Sequence, residues 1–249
     1  MSDPDHSLDA DVRRAEPDFW LASRLVADPA RREGLIALVA VHAELAKVAG
    51  VAANPLAGEI RLAWWREEIE ALFAGDRALG HPALQALRGI EGLDQAALEA
   101  MVEARHAELE ARPFEEEAKL LAYLDGIYGA LMRQAATLLA PAGEAKVAQA
   151  ARAYGWARLG RERPAWRARG RDWTPVAWDE TSDDDIAAHL HHRVTEALDL
   201  AQAQVVALPV AAFPAIAPAA LARLYVEGRQ PNDLEKRLRL LWASLRGKV

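Results

Sequence analysis

The chain has 249 residues, 52% of them hydrophobic and only 6% aromatic, with 37 acidic and 30 basic side chains and a formal charge of -7. That apolar content supports a sizeable core and excludes a disordered chain, while the acidic balance argues against a nucleic-acid binder. No Cys is present, which excludes disulfides, thiolate metal sites and Cys nucleophiles.

About a fifth of the residues are Ala, Arg far outnumbers Lys, and β-branched residues are sparse. Ala, Leu, Glu and Arg lose little freedom in a helix, so the composition points to an all-α protein. The Ala and Arg bias also accompanies GC-rich bacterial genomes. Residues 1–15 read as a polar tail with no secretory signal, ahead of a single helical domain over 16–249.

A first helix is expected over about Pro17 to Ala27. Asp28-Pro29 reads as an N-cap and first-turn proline opening a helix through Val48, and Asn54-Pro55 repeats the signal for a helix that stops at Gly75. A short helix follows His81-Pro82, and Asp94 caps another. A long helix over about Phe114 to Leu139 contains Gly126 and Gly129, which predicts close packing or a bend there. The next runs from about Ala145 to Arg161, before an irregular segment from Glu162 to Trp178. Ser182 caps a helix to about Ala207, Pro218 opens one to Val226, and the last spans Asn232 to Leu245. The count is about nine or ten helices, with no period-2 strand. Leu200 to Ala222 is free of charge, but Pro209, Pro214 and Pro218 break it, so a membrane span fits poorly.

Several stretches resemble the squalene/phytoene synthase family. Gly58-Glu59-Ile60-Arg61-Leu62-Ala63-Trp64-Trp65-Arg66 is similar to the "GEIRLxWWR" helix of its shorter bacterial members. Asp28-Pro29-Ala30-Arg31-Arg32 with Ala40-Val41-His42-Ala43-Glu44-Leu45, Leu121-Ala122-Tyr123 with Tyr128-Gly129, and Gly155-Trp156-Ala157 with Gly170-Arg171-Asp172-Trp173-Thr174-Pro175 resemble further family segments in the right order. The resemblance implies an all-α isoprenoid-synthase bundle. Active relatives couple two prenyl diphosphates head to head, with Mg²⁺ held by two Asp-rich motifs, because a hard divalent cation needs carboxylate oxygens.

Both motifs are degraded here. The first region reads Glu44-Leu45-Ala46-Lys47-Val48-Ala49-Gly50, and between Gly155 and Gly170 the only acid is Glu162. Each 1.36 kcal/mol of lost transition-state stabilisation costs about tenfold in rate, so ordinary coupling is not expected. A superfamily offshoot with the same loss assists respiratory complex I assembly, and the degraded motifs resemble that group.

The implied function is therefore a non-catalytic family member acting in complex I assembly. Two alternatives remain: a Mg²⁺-dependent prenyltransferase using acids such as Glu44 and Glu162, or an isoprenoid or lipid binder without chemistry. No residue is assigned a catalytic or metal-ligating role, and no cofactor is expected unless the prenyltransferase alternative holds. A remnant cavity is expected from Glu44, Arg61, Trp65, Tyr128, Arg158, Glu162 and Arg171. The expected partners are a respiratory-complex subunit or membrane surface, or an isoprenoid or lipid, and not nucleic acid. The expected location is cytoplasmic, peripheral to the inner membrane.

Trp64-Trp65 reads either as a lipid contact or as core, and neighbours about 100° apart on a helix should not share one cavity. Arg158, Arg161, Arg163, Arg167, Arg169 and Arg171 suit a phosphate or anionic-lipid site, or else a connector paired with nearby acids. Arg171 has the better claim because it sits in a family-like motif. Asp183-Asp184-Asp185 reads as a helix start, and the neighbouring His189, His191 and His192 as at most an adventitious metal site.

Overall fold

The computed structural model describes residues 7–52, 54–75, 77–141 and 146–249, and among them it is helical with no strand. The helices are α1 Leu8–Ala15, α2 Pro17–Ser23, α3 Pro29–Val51, α4 Pro55–Ala74, α5 Pro82–Leu87, α6 Gln95–Ala104, α7 Glu117–Leu124, α8 Ala130–Leu139, α9 Ala148–Arg167, α10 Asp183–Val205, α11 Phe213–Ile216, α12 Ala222–Val226 and α13 Asp233–Arg246. The expected all-α bundle is present.

Most boundaries follow from local chemistry. Asp28 accepts from the N–H of Ala30 at 2.9 Å and Asn54 from that of Ala57 at 2.9 Å, each followed by a proline whose missing N–H costs nothing in a first turn. Gly75 ends α4 at φ 70°, a left-handed cap that disfavours a Cβ. Ser182 and Asn232 cap α10 and α13 in the same way.

Three segments depart from expectation. Residues 8–15, read as part of a polar tail, form α1, and Val12 lies fully in the core. The helix α9 does not stop at Arg161 but runs through Pro164 to Arg167. One proline removes one backbone donor, and its end is held from outside by Arg163 and Arg167 on Asp183 and by Trp166 stacked on Trp173 at 4.1 Å. The charge-free run after Leu200 breaks into the end of α10, α11, α12 and intervening 3₁₀ turns. Among the described residues one helix, α3, is long and apolar enough to cross a membrane, and 72% of its most apolar window is buried inside the bundle.

Two helices organise the interior. α3 packs against α1, α2, α4, α5 and α8, while α9 packs against α7, α10, α12 and the link between α7 and α8. That link, Asp125–Gly129, is a π-helical turn within one continuous helix, wider than the α-helical turns on either side. The missing Cβ lets Gly126 meet α6: a Cβ there would sit 2.8 Å from Cβ of Ala104. Asp125 accepts two hydrogen bonds from Arg152 on α9, at 2.8 and 2.9 Å. The close packing expected at Gly126 is present, within a π-helical turn.

Ala104 has no rotamer with which to yield, so Gly126→Ala forces the α6 and α7–α8 backbones apart. The substitution is expected to lower unfolding stability by about 1–3 kcal/mol, read by urea denaturation. An unchanged midpoint would show that the contact is loose.

Candidate functional site

The seven residues singled out from the sequence fall into two groups. Glu44, Arg61 and Trp65 line an open groove between α3 and α4, with His81 at its edge. Arg158 and Glu162 belong to a largely buried polar network on α9, and Tyr128 to the ring cluster beside it. Arg171 joins neither group through its charge. It donates to the carbonyls of Ala49, at 3.1 Å, and Glu108. Ala49 lies in the last turn of α3, where a cation complements the unsatisfied carbonyls.

The network begins where α1 meets α2. Glu16, 4% exposed, accepts from Arg158 Nη1 at 2.9 Å, and Arg158 also donates to Glu162, four residues along the same helix, at 2.6 Å. Burial pushes the Glu16 carboxyl above its ordinary range, and the neighbouring Arg158 only partly offsets this. A second pair lies across the interior: Arg105 donates to Glu108, which also accepts from the Tyr123 hydroxyl at 2.7 Å. Burial raises the Glu108 carboxyl as well.

A third acid, Asp18, is fully buried. It accepts from Lys236 of α13 at 2.8 Å, from the Tyr225 hydroxyl at 2.6 Å and from the Tyr154 hydroxyl at 3.0 Å. Burial works against its charged form, yet the bonds from Lys236 and Tyr225 outweigh it and bring the carboxyl below its ordinary range. Three buried carboxylates are therefore each matched by a cation. Removing one partner leaves an uncompensated charge in low dielectric.

Between these pairs the space holds rings. Phe19 meets Tyr154 edge-on at 5.5 Å, Tyr154 meets Tyr128 edge-on at 5.3 Å, and Tyr128 and Phe19 lie 5.7 and 6.3 Å from His42. His42 is 1% exposed, with Arg105 3.4 Å from its Nδ1. Burial, then the charges of Arg105 and Arg158, hold its pKa well below 6.5, so the ring is neutral. A cation facing Nδ1 places the ring proton on Nε2, which lies 3.7 Å from Glu16.

The groove is different in kind. It encloses about 800 Å³ and is lined by Ile60, Val51 and both Trp64 and Trp65, with Lys47 and Arg61 beside them. Two adjacent residues share it because the indoles pack edge-on at 5.3 Å, which brings Trp64 over the same opening as the buried Trp65. The expectation that only one faces a given cavity is corrected by that stacking. Glu44 is bonded to Lys47 and lies 3.8 Å from His81.

Mg²⁺ fits neither place. Among the described residues no three His, Asp or Glu side chains converge to hold a metal. The regions where Asp-rich motifs would stand offer Glu44, turned to the groove, and Glu162, bound to Arg158.

Of the clustered arginines, Arg158, Arg161, Arg163 and Arg167 lie on α9, and Arg169 and Arg171 just beyond its end. Arg163 and Arg167 bind Asp183, Arg161 lies over Tyr225 at 4.5 Å, and Arg169 and Arg171 lie over Trp166. Asp183 is spent on those arginines and Asp185 on Ser182, while His189 meets Glu117 at 3.0 Å.

Sequence reasoning missed Glu16, Asp18, Arg105, Glu108, Tyr154, Tyr225 and Lys236. The available signal was a charge beside an apolar helix face, as with Lys236 four residues before Leu240, but their partners lie far away in sequence.

The model of the family described as squalene/phytoene synthase matches residues 12–158. Among solved structures, the chain is similar to the crystal structure of squalene synthase HpnC from Alicyclobacillus acidocaldarius, with a TM-score of 0.68 and 18% identity over 95% of this chain and 91% of that one. A search of curated proteins found no match.

The neutral His42 makes stability depend on pH. Below pH 6.5 the unfolded chain takes a proton on this ring that the folded chain refuses. Stability is therefore present above 6.5 and lost as pH falls, by up to about 1.4 kcal/mol per pH unit. Urea unfolding of the parent and of His42→Asn, from pH 7.5 down to 5, should show the parent losing ground to the variant below about 6.5. Parallel curves would mean that His42 titrates normally in the fold.

Proposed function

Because the chain belongs to the squalene/phytoene synthase family, we propose that it is a member that keeps the helical bundle without the prenyl-coupling chemistry, acting in assembly of respiratory complex I. The observation that carries the first half is Arg158, a buried cation bonded to Glu16 and Glu162. Diphosphate departure needs divalent cations gripped by uncommitted carboxylates. In this interior Glu16 is spent on Arg158, Glu108 on Arg105 and Tyr123, and Asp18 on Lys236. The rings of Phe19, His42, Tyr128 and Tyr154, all nearly buried, occupy the space between.

The assembly role rests on the resemblance of the degraded acidic stretches to the assembly-factor offshoot. It implies a partner among the subunits of that membrane complex and a cytoplasmic place at the inner membrane. Burial of the three acids gives such a protein a rigid interior and leaves its outer surfaces for contacts.

A second reading has one observation of its own. The α3–α4 groove joins apolar Ile60, Trp64 and Trp65 to cationic Lys47 and Arg61, a lining that suits an isoprenoid or lipid with an anionic end. The prenyltransferase alternative asks for three converging carboxylates, which the described residues do not supply.

The test incubates the purified protein with farnesyl or geranylgeranyl diphosphate and Mg²⁺ and follows pyrophosphate release. The expected result is no release above the protein-free control, and Mg²⁺-dependent turnover would end the proposal. A deletion strain separates the assembly role: membranes should lose NADH:quinone activity while carotenoid and hopanoid content holds. Normal NADH:quinone activity would remove complex I from the account.

A further inference from the structure

The last helix presents two different faces. Lys236, Leu240 and Ala243 are buried against the bundle. The opposite side carries Leu234, Leu238, Leu241, Trp242 and Leu245, which are 47% to 72% exposed. At about 100° per residue these five fall within an arc of roughly 100°, a continuous stripe along about 17 Å of helix. A buried helix face explains the first set, and among the described residues nothing covers the second.

Charge frames the stripe. On the same wheel Arg237 lies just outside one edge and Arg239 and Arg246 just outside the other. All three are exposed, and among the described residues neither they nor Lys248 forms a salt bridge. Arg246 lies over the Trp242 ring at 4.1 Å. The chain is acidic overall, yet residues 233–248 hold five basic side chains against two acidic ones. A second apolar hollow adjoins the stripe, where Leu241 and Arg237 meet Trp20, Leu25 and Arg24 of the α2 region.

We propose that the outer face of α13 is a docking surface for an anionic lipid membrane, on which the helix lies in the interfacial plane. Leucines and a tryptophan enter the boundary between headgroups and acyl chains. The flanking arginines extend their stems along the apolar surface and reach lipid phosphates. The charge pattern selects lipid over a second copy of the chain, since pairing two such stripes would bring cation-edged helices together. The helix has the leverage to hold this position because Lys236, on its inner face, is anchored to the buried Asp18. The proposal does not depend on how the interior is read.

The experiment is co-sedimentation of the full chain with vesicles of phosphatidylcholine alone or with about 30% phosphatidylglycerol. Binding should appear on the anionic vesicles, weaken with salt, and fall at least about tenfold on phosphatidylcholine alone. Leu238→Ser with Leu245→Ser should cut binding at least about tenfold while circular dichroism and the unfolding midpoint hold, since both side chains are already mostly exposed. Arg237→Gln with Arg246→Gln should abolish the preference for anionic lipid. Absence of binding to either vesicle would overturn the proposal. So would a dimer in sedimentation velocity that Leu238→Ser with Leu245→Ser dissolves, because the stripe would then belong to a second copy.

Discussion

The bond between Arg158 and Glu16 fixes the centre of this protein. Both side chains are largely removed from water, at 14% and 5% exposure, and neither tolerates burial alone. Isolated charges in a medium of low dielectric cost several kcal/mol each, so the pair persists only if its partners stay in register. That requirement ties the start of α2 to the middle of α9 across most of the chain. Arg105 with Glu108 and Lys236 with Asp18 repeat the arrangement on either side, and the tyrosines 123, 154 and 225 supply the remaining hydrogen bonds. Such networks are less a source of net stability than a constraint on which arrangement the helices adopt.

The same constraint decides what the interior can do. A bundle that handles diphosphates must keep acids free for metal and space free for prenyl chains. In this chain the acids are neutralised by built-in cations, and aromatic rings fill the room between them. His42 follows from that setting: two nearby arginines and full burial keep it neutral, so it contributes packing and one hydrogen-bond acceptor. The open surfaces include the α3–α4 groove and the hollows along α13. The proposed reading places the protein's contacts on those surfaces.

Much of the fold was legible because its signals are local. Asp28-Pro29, Asn54-Pro55, Ser182 and Asn232 mark helix starts through bonds spanning two or three residues, and Gly75 marks an end through its own φ. The close approach at Gly126 was legible as two glycines in a strong helical pattern. Where the reading failed, distant contacts overrode local ones. The sequence pattern ends α9 at about Arg161, but Asp183 and Trp173 hold the helix through Pro164 to Arg167. Residues 8–15 looked polar, yet Val12 is buried, Leu8 packs against the core and Asp9 accepts from Trp20 and Arg24, which seats the helix. Glu16 and Lys236 offered no hint of their partners, 142 and 218 positions removed from Arg158 and Asp18. The candidate cavity residues divided for the same reason: adjacent turns of α3 face different neighbours, and Glu44 and His42, two residues apart, look into the groove and the interior respectively.

The most direct measurement is the unfolding free energy of Arg158→Gln against the parent at neutral pH. If Arg158 is the structural counter-charge of Glu16, its loss leaves a buried carboxyl without a cation and costs about 3–5 kcal/mol. If it is instead a phosphate-binding group in a working site, removing it relieves unpaired positive charge, and stability stays level or rises. That second result would contradict the account.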